Sequence, residues 1–323
     1  MTLTMCCKII FHENERRGKL EMNKASEIEV ESTWKELTDR GKIVLPRNVR
    51  FFDKYRVKDV FRKGDAVTIY FGYDNKLVKE FEGYINQVSA DIPVVITVED
   101  EMQKIKTLPV NYSSANTTLE NLLKTIIPGY EIDALEGVKL GAVMLAKTQV
   151  GAALEKIKSE WGLYTYMRGK TVVCGKYYAD ESDQSAVKFH LERNCVSTAL
   201  NYKNKEDIRL KIRVVSTLRN GSKLTVDNIG DPDGNERQLT FYNIEVRGEL
   251  ERLGKIEYNR YKQDRYDGSF TAFGIPSVRH GLKAEIQSSL YEERSGLYYI
   301  EKTVKTFSPD GIRQEITLGD KVA

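Results

Sequence analysis

The chain has 323 residues, with 50 Lys+Arg against 47 Asp+Glu and a formal net charge of +3. That length supports two or three domains with real cores. The near balance of charge argues against a dedicated nucleic-acid binder or a disordered tail protein. Histidine is scarce, at 3 residues, which disfavours a histidine-based metal or acid–base centre.

The N-terminus, MTLTMCCKIIFHENERR, lacks the basic start and long apolar core of a secretion signal. No window approaches the roughly 18 apolar residues of a membrane helix, so assembly in the cytoplasm and no stable membrane association are expected. Cys6, Cys7, Cys174 and Cys195 form no repeated C-x-x-C and read as free thiols. Cys7 with His12, and His190 with Cys195, resemble metal half-sites. Neither has a second pair of ligands, so no metal is expected.

The first hundred residues read mostly as strands. Ile28, Val30, Ser32 and Trp34 share one face of an extended segment. KELTDRG then turns the chain into KIVLPRN. In GDAVTIYF (64–71), Val67, Ile69 and Phe71 alternate with Ala66, Thr68 and Tyr70. GYDNK turns the chain, LVKEFEGYINQV returns it, and DIPVVITVED closes the region. Period-two alternation between turn residues predicts a small antiparallel sheet or barrel.

The period then changes. In NTTLENLLKTII (116–127) the apolar residues fall at 119, 122, 123, 126 and 127. That spacing predicts a helix, capped by Asn/Thr and stopped by Pro128-Gly129. A second helix is predicted over 148–161, with Val150, Ala153, Leu154, Ile157 and Trp161 on one side. LYTYMRGKTVVCGKYY follows as a hairpin turning at Arg168-Gly169. AVKFHLERN and DIRLKIRVVST return to strand character. A hydrophilic stretch, 217–238, carries NGS and DPDGN turns. TFYNIEV is another strand and 247–262 a moderately amphipathic helix. GLKAEIQSSL and IRQEITL finish the chain as strands. The fold class expected is α+β, mainly β, with two similar antiparallel barrel-like domains at 1–110 and 186–323 and an α/β module at 111–185 between them.

Similarity between the two β regions supports that division. GDAVTI and GLKAEI both place glycine five residues before isoleucine. GYINQV (83–88) and YYIEKTV (298–304) follow, and then ITVED (96–100) and ITLGD (316–320). The middle segments differ in length by one residue, which a β-bulge absorbs. An internal duplication is expected. Three copies around an axis then make a quasi-sixfold ring, whose closure covers otherwise exposed strand edges.

RFFDKYRVKDVFRKGDAVTIYFGYDNKLVKEFEGYI (50–85) resembles the first tube-type domain of phage tail hub proteins, and YDGSFTAFGIPSVRHGLKAEIQSSLYEERSGLYYIEKTVKTFSPDGIRQEITLG (266–319) resembles the second. The family is the late-control-D group, related to the N-terminal hub part of type VI secretion spike proteins. The resemblance implies a structural baseplate hub: a homotrimer that joins the hexameric tail tube to the central spike around an axial channel. The implied partners are the tail tube protein, the spike and other baseplate proteins, with DNA only passing through. The implied location is the virion tail baseplate. The resemblance ends just before Ala323, so a separate spike polypeptide is expected. A phage-derived contractile injection system is the near alternative, and a hub-associated peptidoglycan hydrolase the enzymatic one.

No catalytic, cofactor-binding or metal residues are expected. Around Gly268, Gly274 and Gly281 there is no Gly-Lys-Ser/Thr and no dinucleotide fingerprint. SFTAF reads as a strand and Gly274-Ile-Pro276 as its exit turn. His280 has no nucleophile partner in sequence and reads as a surface or packing residue. Asp231, Asp233 and Glu236 miss the calcium-loop pattern and read as turn chemistry. The span 202–223 holds Lys203, Lys205, Arg209, Lys211, Arg213, Arg219 and Lys223 against Glu206 and Asp207. It reads as a solvated strand face, with contact to DNA or an acidic partner as the sharper alternative. Tyr258, Tyr261 and Tyr266 read as packing residues, not base-stacking ones. Carboxylate pairs such as Glu80/Glu82 and Glu292/Glu293 show no facing geometry in sequence.

Overall fold

A computed structural model describes residues 3–46, 56–178, 186–218 and 220–322. RFFDKY (50–55) and Arg219, both used above, lie outside the described residues.

The first half contains β1 (Met5–Phe11), β2 (Leu20–Met22), β3 (Glu27–Thr33), β4 (Arg40–Val44), the helical turn α1 (Val57–Val60), β5 (Ala66–Tyr73), β6 (Lys76–Val88) and β7 (Val95–Glu99). The middle contains α2 (Met102–Ile105), β8 (Pro109–Thr118), α3 (Leu119–Ile126), β9 (Glu131–Ala134), β10 (Lys139–Gln149), α4 (Val150–Trp161), β11 (Thr165–Arg168) and β12 (Thr171–Cys174). The second half begins with β13 (Val187–His190) and β14 (Cys195–Lys203), detours through β15 (Leu210–Thr217), β16 (Lys223–Gly230), β17 (Asn235–Tyr242) and α5 (Arg247–Tyr261), and returns to β18 (Arg265–Phe273), β19 (Lys283–Gln287), β20 (Gly296–Ser308) and β21 (Gly311–Lys321).

Both predicted helices of the middle region form on their apolar stripes. Thr118 caps α3, its hydroxyl accepting the Asn121 N–H at 3.2 Å, and Leu119, Leu122, Leu123 and Ile126 are buried. In α4, Val150, Ala153, Leu154 and Ile157 are buried, and Gly162 ends the helix in the left-handed region at φ 69°. These side chains share one core with Val138, Leu140, Met167 and Val172.

The two β regions differ from the expectation in one respect. The strands of the described residues close no barrel; thirteen of them pair into one sheet. The path of that sheet shows why. β3 ends the first half by pairing with β20 of the second, from Lys302 opposite Thr33 to Phe307 opposite Ile28. A strand whose free edge is satisfied by the other half has no need to curl back on its own sheet.

Within this sheet the two halves repeat. The first runs β3-β4-β7-β6-β5-β1 and the second β14-β18-β21-β20-β19-β13. Corresponding strands of the two halves hold the same rank along the chain and the same place in the sheet. The outer pair differs: β1 joins β5 antiparallel, whereas β13 joins β19 in parallel. The repeat extends to single hydrogen bonds. Gly64 N–H donates to Ile85 O at 2.8 Å, and Ile85 N–H to Asp65 O at 2.9 Å. Gly281 N–H donates to Ile300 O, and Ile300 N–H to Leu282 O, both at 2.8 Å. Both glycines are left-handed, φ 89° and 85°, a conformation that disfavours other residues. The one-residue length difference has its expected cause. The β6–β7 ladder has one register shift near Ile85, and the β20–β21 ladder has two around Ile300.

A second difference concerns 186–323. Between β14 and β18 the chain builds a separate three-stranded sheet, β16-β15-β17, covered by α5. Its core joins Ile212, Val214, Val226, Ile229, Leu250 and Tyr261. Part of the hydrophilic stretch is therefore strand: β16 carries Val226 and Ile229 inward, and its apolar period is broken where Asn228 takes φ 61° and the ladder shifts register.

At the seam, the Lys305 ammonium binds the Glu80 carboxylate, and the two side chains are only 10% and 3% exposed. Ser277 Oγ donates to the same carboxylate at 3.0 Å. Lys305→Met alone leaves a buried, unpaired carboxylate, and urea unfolding is expected to show a loss of about 3–5 kcal/mol. Lys305→Met/Glu80→Leu together is expected to recover most of it. A single variant as stable as the wild type contradicts this reading.

Candidate functional site

Two features of the seam bear on function: a polar cavity beneath it and the open strand edges beside it. The cavity, about 500 Å3, is walled by β3 and β6, by the β11–β12 turn and by residues from the second half. Asp39 accepts the Ser32 hydroxyl at 2.6 Å and the Thr33 N–H at 3.1 Å. Asp100 accepts the Asp39 N–H at 3.0 Å and the Met102 N–H at 3.0 Å. Burial outweighs these hydrogen bonds and pushes the Asp39 carboxyl up to about 7; Asp100 is raised as well, by burial and then by Asp39. His280 packs edge-on against Tyr166, with Nδ1 2.7 Å from Ser32 Oγ, and burial lowers its pKa to about 4. The group is a hydrogen-bonded network tying β3, the β3–β4 turn and the β18–β19 connection together. His280 is thus a packing residue, as expected. Its Ser32 partner is 248 positions away, so local motif reading had no means of finding it.

The open edges are simpler. β14 has β18 on one side and, among the described residues, no strand on the other. Val196, Ser197, Thr198 and Ala199 are exposed in succession, and the strand's one charge is Lys203. Edge strands are normally guarded by charge, proline or brevity. This one, nine residues long, is not. β6 has a shorter opening, over Asn86, Gln87 and Val88. Its pairing with β5 stops at Tyr84, and beyond Ile85 only β7 pairs with it among the described residues.

The remaining residues singled out from sequence go to structural work. Lys203 pairs with Asp267, Arg209 with Asp233 at 3.8 Å, Lys211 with Glu236 at 3.3 Å, and Arg213 with Asp227 at 3.0 Å. The basic run is therefore substantially neutralised within the fold. Asp231 holds Lys262 at 2.7 Å and the Leu210 N–H at 3.1 Å, and the lysine holds its carboxyl below the usual range. Asp231, Asp233 and Glu236 thus serve three different cations. Tyr261 and Tyr266 are buried in separate cores, and the Tyr258 hydroxyl donates to Asp231. Phe270 and Ala272 of β18 are buried and Gly274 leaves the strand, which makes SFTAF wall structure. Glu82 pairs with Lys79 and Glu293 with Arg294. The four cysteines are free. Among the described residues no cluster of three His, Cys, Asp or Glu is placed to hold a metal, and no helix is long and apolar enough to cross a membrane.

The raised carboxyl gives a signed pH dependence. In the folded protein Asp39 keeps its proton to about 7, whereas the unfolded chain releases it near ~3.9. Folding therefore weakens as pH rises from about 4 to about 7. Asp39→Asn removes that slope. Urea unfolding at pH 5 and pH 8 is expected to show the variant gaining on the wild type at the higher pH; a constant difference counts against a protonated Asp39.

No protein-family model matches the chain, and no curated protein matches it. Solved structures do. The 43 kDa tail protein of prophage MuSo2 from Shewanella oneidensis superposes with TM-score 0.61 at 14% identity, covering 97% of this chain and 98% of that one. A tail protein from Neisseria meningitidis MC58 gives 0.61 and 14%, with 98% and 96% covered. A component of the E. coli type VI secretion system, itself described as similar to T4 tail proteins gp27 and gp5, gives 0.55 and 11%, covering 99% of this chain and 77% of that one. The fold is that of phage tail proteins, and the resemblance drawn from the sequence holds at that level.

Proposed function

We propose that this chain is the structural hub of a tail baseplate, assembling as a trimer that presents six similar β units around an axial channel. The observation that carries the proposal is the repeated Gly–Ile hydrogen-bonding pattern, set in two halves of equal strand order. In one chain, β3 fills the slot on β20 beyond Ile300. The equivalent donor is β14 and the equivalent slot lies on β6 beyond Ile85. Within one chain neither is filled among the described residues. Two neighbouring copies supply them, one inserting its β14 beside this β6 and the other offering its β6 to this β14, and three copies with two units each close a ring. The solved tail proteins with this fold support that role.

The hexameric tube is assigned to one face of the ring, matching six subunits to six units. The spike is assigned to the other face, where threefold order suffices. Affinity in such a body comes from large matched interfaces, not from a pocket. A phage-derived injection machine would use the same construction.

Sedimentation of the purified chain at micromolar concentration is expected to give a three-chain mass. Ser197→Lys/Ala199→Lys, which charges the unguarded edge, is expected to give single chains with an unchanged urea midpoint. A wild-type mass of one chain throughout overturns the ring, and a trimer indifferent to the edge variant overturns its geometry.

A further inference from the structure

The turn after β19 belongs neither to the seam nor to the open edges. β13 and β19 run parallel, with His190 opposite Gln287, so their C-terminal ends deliver two turns to one place. There Ser289 Oγ lies 3.0 Å from His190 Nε2, and His190 Nδ1 lies 3.0 Å from Glu192 Oε2. Nδ1 is shielded from solvent, and the carboxylate lies close to it without making an aligned hydrogen bond. Glu192 is fixed from behind: it accepts the Ser288 hydroxyl and, at 3.0 Å, the Ser289 N–H. Ser288 Oγ in turn accepts the Leu290 and Tyr291 N–H groups at 3.2 and 3.1 Å. The turn is therefore rigid, and it opens on a shallow depression of about 480 Å3. Leu290 and Tyr291, 74% and 46% exposed, stand beside the serine.

Serine, imidazole and carboxylate in this order are the elements of an activated nucleophile. We propose that Ser289, with His190 as base and Glu192 as the carboxylate beside it, takes up an acyl group from activated esters, namely aryl esters or thioesters. In the neutral imidazole with its proton on Nδ1, the nitrogen nearest the Glu192 carboxylate, Nε2 accepts the Ser289 proton. Oγ bonds to the carbonyl carbon as its proton passes to Nε2. The carbon–leaving-group bond breaks, and Nε2–H protonates the departing phenolate or thiolate. The acyl group stays on Oγ. Water, deprotonated by Nε2, later releases the carboxylic acid and restores the serine.

The hydrogen bonds also define the limits of this chemistry. The N–H groups of Ser289, Leu290 and Tyr291 all donate inward, so none is free to hold an oxyanion. Ordinary alkyl esters and amides are therefore poor substrates, and the acyl-serine persists.

The full chain is incubated with p-nitrophenyl butyrate and read by intact mass and peptide mapping. One butyryl group is expected on Ser289, formed in a burst of p-nitrophenolate. Ser289→Ala is expected to lose the adduct. His190→Gln is expected to slow its formation by about 10²-fold or more, with an unchanged urea midpoint as the folding control. A wild-type chain without adduct, label spread over lysines and retained in Ser289→Ala, or full-rate labelling of His190→Gln each overturns the assignment.

Discussion

The pairing of β3 with β20 is the contact on which the architecture turns. It converts two six-strand units into one sheet and brings residues more than 260 positions apart into register. Its inner face buries Ile28, Val30 and Thr303 together with the Lys305–Glu80 pair. On the other side, Lys302 meets Glu31 at 3.0 Å and Lys35 meets Glu301 at 2.7 Å. A buried ion pair adds little net stability over apolar replacement, but it tolerates few alternatives. A slip of one residue along the seam would turn Lys305 away from Glu80 and expose every inward side chain. The seam therefore sets register as well as affinity.

The same seam explains why the sequence carried part of the fold and not the rest. Local signals were strong wherever the structure depends on neighbours in sequence. The stripe at 119, 122, 123 and 126 made α3, and the alternation at 67, 69 and 71 made β5. The glycine that opens GDAVTI and GLKAEI recurs where a left-handed residue donates to the isoleucine of the next strand, Gly64 to Ile85 and Gly281 to Ile300. Non-local choices left no such trace. Nothing in EIEVEST marks it as the strand that crosses to the other half, so closed barrels were the simpler expectation. The β15–α5 unit was absorbed into a second barrel because its strands alternate like any others. The clusters around Ser32 and Ser289 each join turns or strand ends far apart in the chain, beyond the reach of motif spacing.

Charge distribution separates structural from contact surfaces. The basic run at 202–223 looks suited to an acidic partner in sequence, yet four of its cations meet carboxylates on adjoining strands and turns. Exposed pairs of this kind contribute little to stability. Their effect is to remove a patch that would otherwise draw polyanions. For a body proposed to surround passing DNA, a locally neutral surface avoids holding what it must release.

Beyond the short β13, which ends a side branch on β19, the two ends of the main strand path differ in kind. One ends in β2, three residues long, with Glu21 paired to Lys8 and Lys19. That edge is short and charged, as edges that must not pair usually are. The other ends in β14, three times as long and nearly uncharged. A sheet with two unguarded edges could grow from both, without limit. In the proposed ring, β14 is then the donor among the described residues and β6 beyond Ile85 the acceptor. One donor and one acceptor per chain make a heterologous contact, which yields a filament unless the rotation between copies closes it. The seam already fixes that rotation within each chain, because β3 on β20 is the same contact made in cis. If the trans contact copies its angle, the units close after an even number, and the fold has selected a ring over a fibre through the geometry of one strand pair.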